Sequence, residues 1–251
     1  MKRYFVEIAY NGSAYCGWQV QKNKPTVQLT LNHALSTLLN QPIATLGCGR
    51  TDAGVHASSF YAHFDAPDPL PDDLLHRLNR FLPTDIAIKN IYTNVPPNAH
   101  ARFDATYRAY QYHLHFNKNP FKHSFSTFFP WLPLNIELML QAAPLLLQYS
   151  DFPMFCKTNG ANQTTICQIY RSELCHDPQL QTLTYHVAAN RFLRGMVRLI
   201  VGALAWVGKE KLPLSVFEEV LATKGKIPRS FSAPANGLFL SEVRYPYIVN
   251  D

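Results

Sequence analysis

Two hydrophobic periods alternate along the chain. Between residues 3 and 10, Tyr4, Phe5, Val6, Ile8, Ala9 and Tyr10 form a nearly unbroken apolar run, the pattern of a buried strand. A polar loop over 11–25 follows. Val27, Leu31, Leu35, Leu38 and Leu39 then predict a helix over 26–40 with Thr26 as its N-cap. Residues 43–48 are mostly apolar, and in 59–64 Phe60, Ala62 and Phe64 alternate with Tyr61 and His63, so both stretches read as strands. Pro71 opens a second predicted helix that turns Leu74, Leu75, Leu78 and Leu82 inward, and a strand near 85–92 follows. The order is that of the ferredoxin-like split β-α-β arrangement.

Beyond Pro96-Pro97 a long strand is predicted from about residue 102 to 116. It places Tyr110, Tyr112, Leu114 and Phe116 on one face and Ala109, Gln111, His113 and His115 on the other. A helix over 135–148, broken or kinked by Pro144, precedes strands over 166–175 and 182–189. A helix over 191–207, a short helix over 214–224 and a strand over 238–244 complete the chain. The second half echoes the first with insertions, without a visible sequence repeat. We therefore expect an α+β fold of two ferredoxin-like, split β-α-β halves, residues 1–104 and 105–251, facing each other across a central cleft where a site could lie.

The chain has 251 residues, 47% of them hydrophobic, enough to bury a sizeable core. No run approaches the roughly 18 apolar residues that span a bilayer. Glu7 also interrupts the apolar stretch after Met1-Lys2-Arg3, so neither a membrane anchor nor a signal peptide is expected, and the cytoplasm is the expected compartment. Five cysteines (Cys16, Cys48, Cys156, Cys167, Cys175) form an odd set with no Cys-x-x-Cys pair, which argues for reducing surroundings and against a zinc ribbon. Cys175-His176 could be half of a metal site but has no partner pair at ligand spacing, so no metal is expected. A net charge of +6 permits a polyanionic partner. With 16% charged residues there is no basic tail, so a nucleic acid would meet a folded surface.

Chemistry concentrates in a few segments. Gly49-Arg50-Thr51-Asp52-Ala53-Gly54-Val55-His56 packs a guanidinium, a carboxylate and an imidazole between two predicted strands. Such a loop would hold Asp52 at a rigid sheet edge beside Arg50, as catalytic carboxylates often are. On its own, a β-turn whose polar side chains cap backbone groups is the commoner meaning. Arg191, Arg194 and Arg198 recur at spacings of three and four, opposite Phe192, Met196, Leu199, Ile200, Ala203 and Val207 on the predicted helix. That basic face is either solvated or turned to phosphates. Tyr110 alone reads as core packing with its hydroxyl satisfied, Leu238 as a core strand residue, and His56 as structural.

The octapeptide resembles, at all eight positions, the signature of the bacterial tRNA pseudouridine synthase A family. Ala101-Arg102-Phe103 with the spaced tyrosines after it is similar to that family's second motif. Ala189-Asn190-Arg191-Phe192, Met196-Val197-Arg198 and Ile200-Val201-Gly202 are similar to its third, and Gly237-Leu238-Phe239-Leu240 to its last. Ala9-Tyr10-Asn11-Gly12-Ser13, Gly17-Trp18-Gln19 and Thr26-Val27-Gln28 agree in outline, so the resemblance touches essentially the whole chain. It implies the pseudouridine synthase fold and an isomerase acting on uridines 38 to 40 of the tRNA anticodon stem-loop. It also implies a homodimer with tRNA as partner and no metal or organic cofactor.

By the same resemblance Asp52 is the essential carboxylate, and Arg198 its ion-pair partner, which would keep it ionised. Tyr110 would stack on the target base, Leu238 would wall the uracil pocket, and Arg50 would fill the vacated space or grip a flanking phosphate. The chain departs from the family at Asn11 (usually Asp), at Leu29-Thr30 (usually more polar), at Cys167 (commonly Arg) and over 151–166. None of these touches Asp52, Tyr110 or Arg198. Two other readings stand beside it. One is a catalytically inactive tRNA-binding or RNA-folding protein on the same scaffold. The other is a phosphate-binding α/β domain for small nucleotides with residues 47–54 as cradle, although that loop lacks a Lys-Ser/Thr ending and leads into a strand.

Overall fold

Strand β1 (Lys2–Tyr10) is buried along almost its whole length, and it is paired along both of its edges. In the computed structural model, which describes residues 1–130, 133–156, 164–228 and 231–248, it lies between two antiparallel partners, β3 (His56–Ala66) and β4 (Ile86–Tyr92). The short β2 (Leu46–Gly47) pairs antiparallel with β3. Helices α1 (Val27–Leu38) and α2 (Leu74–Phe81) complete the β-α-β-β-α-β order expected from the sequence, with the strands side by side as β4-β1-β3-β2. The last strand, β9 (Leu238–Arg244), joins the β2 side of β3 in parallel, pairing Phe239 with His56. Thr26 caps α1 as predicted, accepting from the Leu29 N–H.

The chain divides into two compact units, Met1–Arg108 with Phe239–Asp251, and Ala109–Leu238. The sequence reading cuts the chain once, at 104/105. The compact units cut it twice and return the terminal strand to the first unit, because β9 pairs with β3.

In the second unit β5 (Tyr107–His115), β8 (Thr182–Ala189) and β7 (Ile169–Asp177) lie in that order, repeating the β1-β3-β2 placement of the first. The short β6 (Thr127–Phe128) adds to β5 in parallel. Helix α3 (Ile136–Ala142) tightens at Pro144 into a 3-10 turn, Ala143–Gln148, so the predicted helix is broken there. Helix α4 (Met196–Gly208) is the centre of this unit, and α5 (Leu214–Thr223) follows it. Apart from Arg198 and Trp206, every α4 residue is buried.

Three expectations are corrected, each by local polar groups that take the backbone away from the predicted element. Residues 43–48 pair only at Leu46–Gly47, because Ser36 Oγ binds both the N–H and the carbonyl of Ile43, and Asn32 Oδ1 accepts from the N–H and hydroxyl of Thr45. The strand predicted from 102 begins only at Tyr107. Before it, His100 Nδ1 accepts from the N–H groups of Arg102 and Phe103, while Asp104 accepts from the His100 N–H, which closes a turn. The helix predicted from 191 begins only at Met196. Gly195 sits before it at φ +73°, and Asn190 is bonded back to Gln168 through both backbone and side chain. The 151–166 stretch lies partly outside the described residues.

The face of the first sheet away from Phe60 and Phe64 is aromatic and polar. Phe5 stacks on His63 and meets Tyr245 edge-on. Glu7 accepts from Ser59 Oγ, Lys89 Nζ and the Tyr92 hydroxyl at 2.9, 2.8 and 3.1 Å. Burial opposes its ionisation, but those three donors outweigh burial and hold its carboxyl below the ordinary range. His63 is buried and its Nδ1 accepts from the Ala101 N–H at 3.0 Å, so the ring is neutral. Burial, with Arg3 and His100 nearby, pushes its pKa down to about 4.

A depressed histidine pKa destabilises on acidification. Between the unfolded value of about 6.5 and the folded value of about 4, only the unfolded chain takes up the proton, so stability falls as pH falls through that window. His63 should account for roughly 2 kcal/mol of the stability lost between pH 7 and pH 5. His63→Asn keeps an acceptor near Nδ1 and removes the titration. Thermal unfolding at the two pH values should show a smaller drop for this variant than for the wild type, and equal drops would refute the assignment.

Candidate active site

The loop between β2 and β3 owes its shape to a second loop behind it. Trp18 N–H donates to the Thr51 carbonyl, Gly54 N–H donates to the Tyr15 carbonyl, and Gly12 N–H donates to His56 Nδ1. Thr51 Oγ1 and the Tyr10 hydroxyl are bonded at 2.9 Å in a buried pair. Gly17 is essential to this stacking of backbone on backbone. Its φ is +87°, and a Cβ there would stand 2.3 Å from the Thr51 carbonyl oxygen. The carbonyls of Gly17 and Trp18 in turn accept from Val27 and Gln28, the first N–H groups of α1. One loop thus caps a helix and braces the residues around Asp52.

Asp52 opens a β-turn. Its carbonyl accepts from the Val55 N–H, and Gly54 occupies the third position at φ +77°, the geometry of a type II turn. The Asp52 side chain is half-buried and the Arg50 side chain is exposed. His56 is fully buried, stacked on Phe239 with ring centroids 4.6 Å apart. Because its Nδ1 accepts from Gly12, the proton of the neutral ring lies on Nε2. The buried His56 ring thus ties the Gly12 backbone to the start of β3.

In the second unit Arg198 occupies the first turn of α4 and is half-buried. Its Nε donates to the Ala233 carbonyl at 2.6 Å, and its own carbonyl accepts from the Ala233 N–H at 3.0 Å. Residues 231–237 can run this close to α4 because Gly202 has no side chain. A Cβ there would lie 1.7 Å from the Phe231 carbonyl oxygen. Further along, the Tyr112 hydroxyl donates to the Pro234 carbonyl, and Asn236 Nδ2 donates to the carbonyls of His123 and Ser126. This segment delivers Leu238, which is 6% exposed, to the start of β9.

Tyr110 is half-buried and meets Phe192 edge-on at 5.1 Å, whereas Tyr112 and Leu114 on the same strand, and Phe116 just beyond it, are core. Arg191 and Arg194 do not share a helical face with Arg198. They lie in the connection from β8, Arg191 half-buried and Arg194 exposed. Periodicity missed the supports: Gly17, Gly202, the Ala233 carbonyl and Arg108. The guanidinium of Arg108 donates to the carbonyls of Ala105, Arg102 and Cys48. Gly17 and Gly202 lie within motifs that the sequence singles out, but the pattern does not show what they support. Among the described residues no group of three or more His, Cys, Asp or Glu is arranged to hold a metal ion.

Gly17→Ala and Gly202→Ala should each cost at least about 2 kcal/mol, from steric overlap with a carbonyl and, at Gly17, from the left-handed backbone. Gly49→Ala is the control, since a Cβ there meets nothing within 4 Å. Thermal melts should fall by about 5 °C or more for the first two and stay nearly unchanged for the third.

Comparison with known proteins finds relatives along the whole length of this chain. A family described as tRNA pseudouridine synthase matches residues 142–246. A tRNA pseudouridine synthase A of Azobacteroides pseudotrichonymphae is 44% identical over 247 residues, covering 98% of either chain. Those of Parabacteroides distasonis and Limosilactobacillus reuteri are 42% and 35% identical, each over 98% of this chain and 97% of the relative. With that identity sustained from end to end, the chain belongs to the tRNA pseudouridine synthase A family.

Proposed function

We propose that this chain is an isomerase that converts uridine to pseudouridine in tRNA, at positions 38 to 40 of the anticodon stem-loop. The observation that carries this reading is Asp52, half-buried on a turn braced through Thr51, Gly54 and His56, in a chain 44% identical to a tRNA pseudouridine synthase A. Isomerisation breaks the bond from ribose C1′ to uracil N1, turns the base and closes a bond from C1′ to C5. The C5 proton leaves and N1 ends protonated, so there is no net redox change or hydrolysis.

The residues needed are a carboxylate, an aromatic surface and cations, and this chain supplies them without a metal or organic cofactor. Asp52 is the reacting carboxylate. The cation proposed to pair with it is Arg198, whose guanidinium is oriented by the Ala233 carbonyl. Tyr110 offers a half-open ring for the flipped uracil and Leu238 an apolar wall. Arg50, exposed, takes the vacated space or a flanking phosphate, and Arg191 and Arg194 contact phosphates from their loop. The protein acts in the cytoplasm as a homodimer, which suits a small basic chain gripping a large folded RNA. No helix among the described residues is long and apolar enough to cross a membrane.

Tritium release from tRNA labelled at uridine C5 tests the chemistry. The wild type should release tritium, and Asp52→Asn should be slower by at least about a hundredfold. Equal release by both would remove Asp52 from its role, and tight binding with release by neither would leave a binding protein. Arg198→Lys keeps the charge but loses the Nε bond to Ala233. It should lower kcat by about tenfold or more with little change in tRNA affinity, and unchanged turnover would reject the positioning argument.

A further inference from the structure

The turn before β5 presents an aromatic ring to solvent on an unusually firm mount. Phe103 is 74% exposed, yet the turn beneath it is fixed on every side. His100 caps it from within, and the His100 and Phe103 rings lie 4.3 Å apart. Asp104 accepts from the Tyr247 hydroxyl, the Tyr245 hydroxyl donates to the Ala101 carbonyl, and the Ala101 N–H donates to buried His63. A ring held in water by this many bonds is presented rather than left over.

Its surroundings indicate what it is presented to. The Arg102 guanidinium lies 5.7 Å from the Phe103 ring centroid. One guanidinium nitrogen of Arg108 binds both the Arg102 carbonyl, at 2.6 Å, and the Cys48 carbonyl, at 3.0 Å. The Phe103 turn is therefore locked beside the start of the Asp52 loop, where Gly49 leaves bare backbone and Arg50 is exposed. The exposed side chains of residues 101–104 and of Arg50 are one ring and two guanidiniums, the chemistry of a strand with π-faces and phosphates. A protein-docking patch would need further exposed apolar neighbours on this turn.

We propose that Phe103 is a stacking platform for an unpaired base of the RNA flanking the target nucleotide, with Arg102 on an adjacent phosphate and Gly49 leaving room for the backbone. This rests on the tRNA-modifying reading above. It adds a base-stacking grip in the first unit, contributed by residues that the chemical step does not use.

The test measures tRNA affinity by fluorescence anisotropy for the full-length wild type, Phe103→Ala, Phe103→Leu and Phe103→Tyr, with tritium release measured on the same preparations. Because Phe103 is 74% exposed, melting temperatures should agree closely across the set. Phe103→Ala and Phe103→Leu should weaken binding between about fivefold and a hundredfold, and Phe103→Tyr should bind like the wild type. Arg102→Ala should reduce the salt dependence of binding by about one ion. If the wild type binds and releases tritium while Phe103→Ala binds equally well, the platform is overturned and the function stands. Equal weakening by alanine and tyrosine would also overturn it. A wild type that neither binds tRNA nor releases tritium would overturn the function reading and this inference with it.

Discussion

The contact on which the first unit depends is backbone against backbone, residues 12–18 on residues 51–56. Side chains cannot make so close an approach. The Thr51 carbonyl meets the Trp18 N–H only because Gly17 has no Cβ to strike it. That contact orders outward in both directions. On one side the Gly17 and Trp18 carbonyls satisfy the first amides of α1, and the Trp18 indole stacks on Phe60 at 4.1 Å in the core. On the other side the turn at Asp52 inherits its position from β1 through Tyr10 and Thr51. A carboxylate on a loop is thereby held as if on a strand, which is the rigidity a positioned reacting group requires.

The second unit reaches the same end by the same means. Gly202 lets the chain at Phe231 lie directly on α4, and the Ala233 peptide then binds Arg198 through both its backbone and its guanidinium. In both units the decisive residue is a glycine, Gly17 far in sequence from Asp52 and Gly202 one helical turn from Arg198. Such a support has no chemical signature of its own and shows only in three dimensions.

Periodicity in the sequence predicts the elements that bury a face, and it recovers β1, α1, α2, β4, β8, α5 and β9 closely. It fails where a short polar side chain competes for the backbone. Ser36 and Asn32 strip residues 43–45 from the sheet, His100 and Asp104 fold the start of the predicted long strand into a turn, and Asn190 with Gly195 delays α4. No hydrophobic pattern carries that information, because these bonds depend on which backbone group comes within reach after folding. The candidate site was legible in another way. Asp52, Tyr110 and Arg198 came from motif resemblance, whereas the residues alone favoured a turn for Asp52 and core for Tyr110, and left the arginines open between solvent and phosphate.

The late start of α4 changes what its arginines can do. A helix with three arginines on one side would be an amphipathic phosphate grip. The observed helix is apolar all round and carries a single charge, Arg198, on its first turn. Placing a guanidinium in apolar surroundings costs free energy that a surface phosphate contact would not require. The neighbouring loop already carries Arg194 in solvent at no such cost. Arg191 and Arg194 are therefore suited to the salt-sensitive work of holding a polyanion. Arg198, half-buried and aligned by a peptide carbonyl, is suited to acting on one ionised group at fixed geometry. The sequence motif groups the three arginines together, and the fold places Arg198 on a helix and the other two in the loop before it.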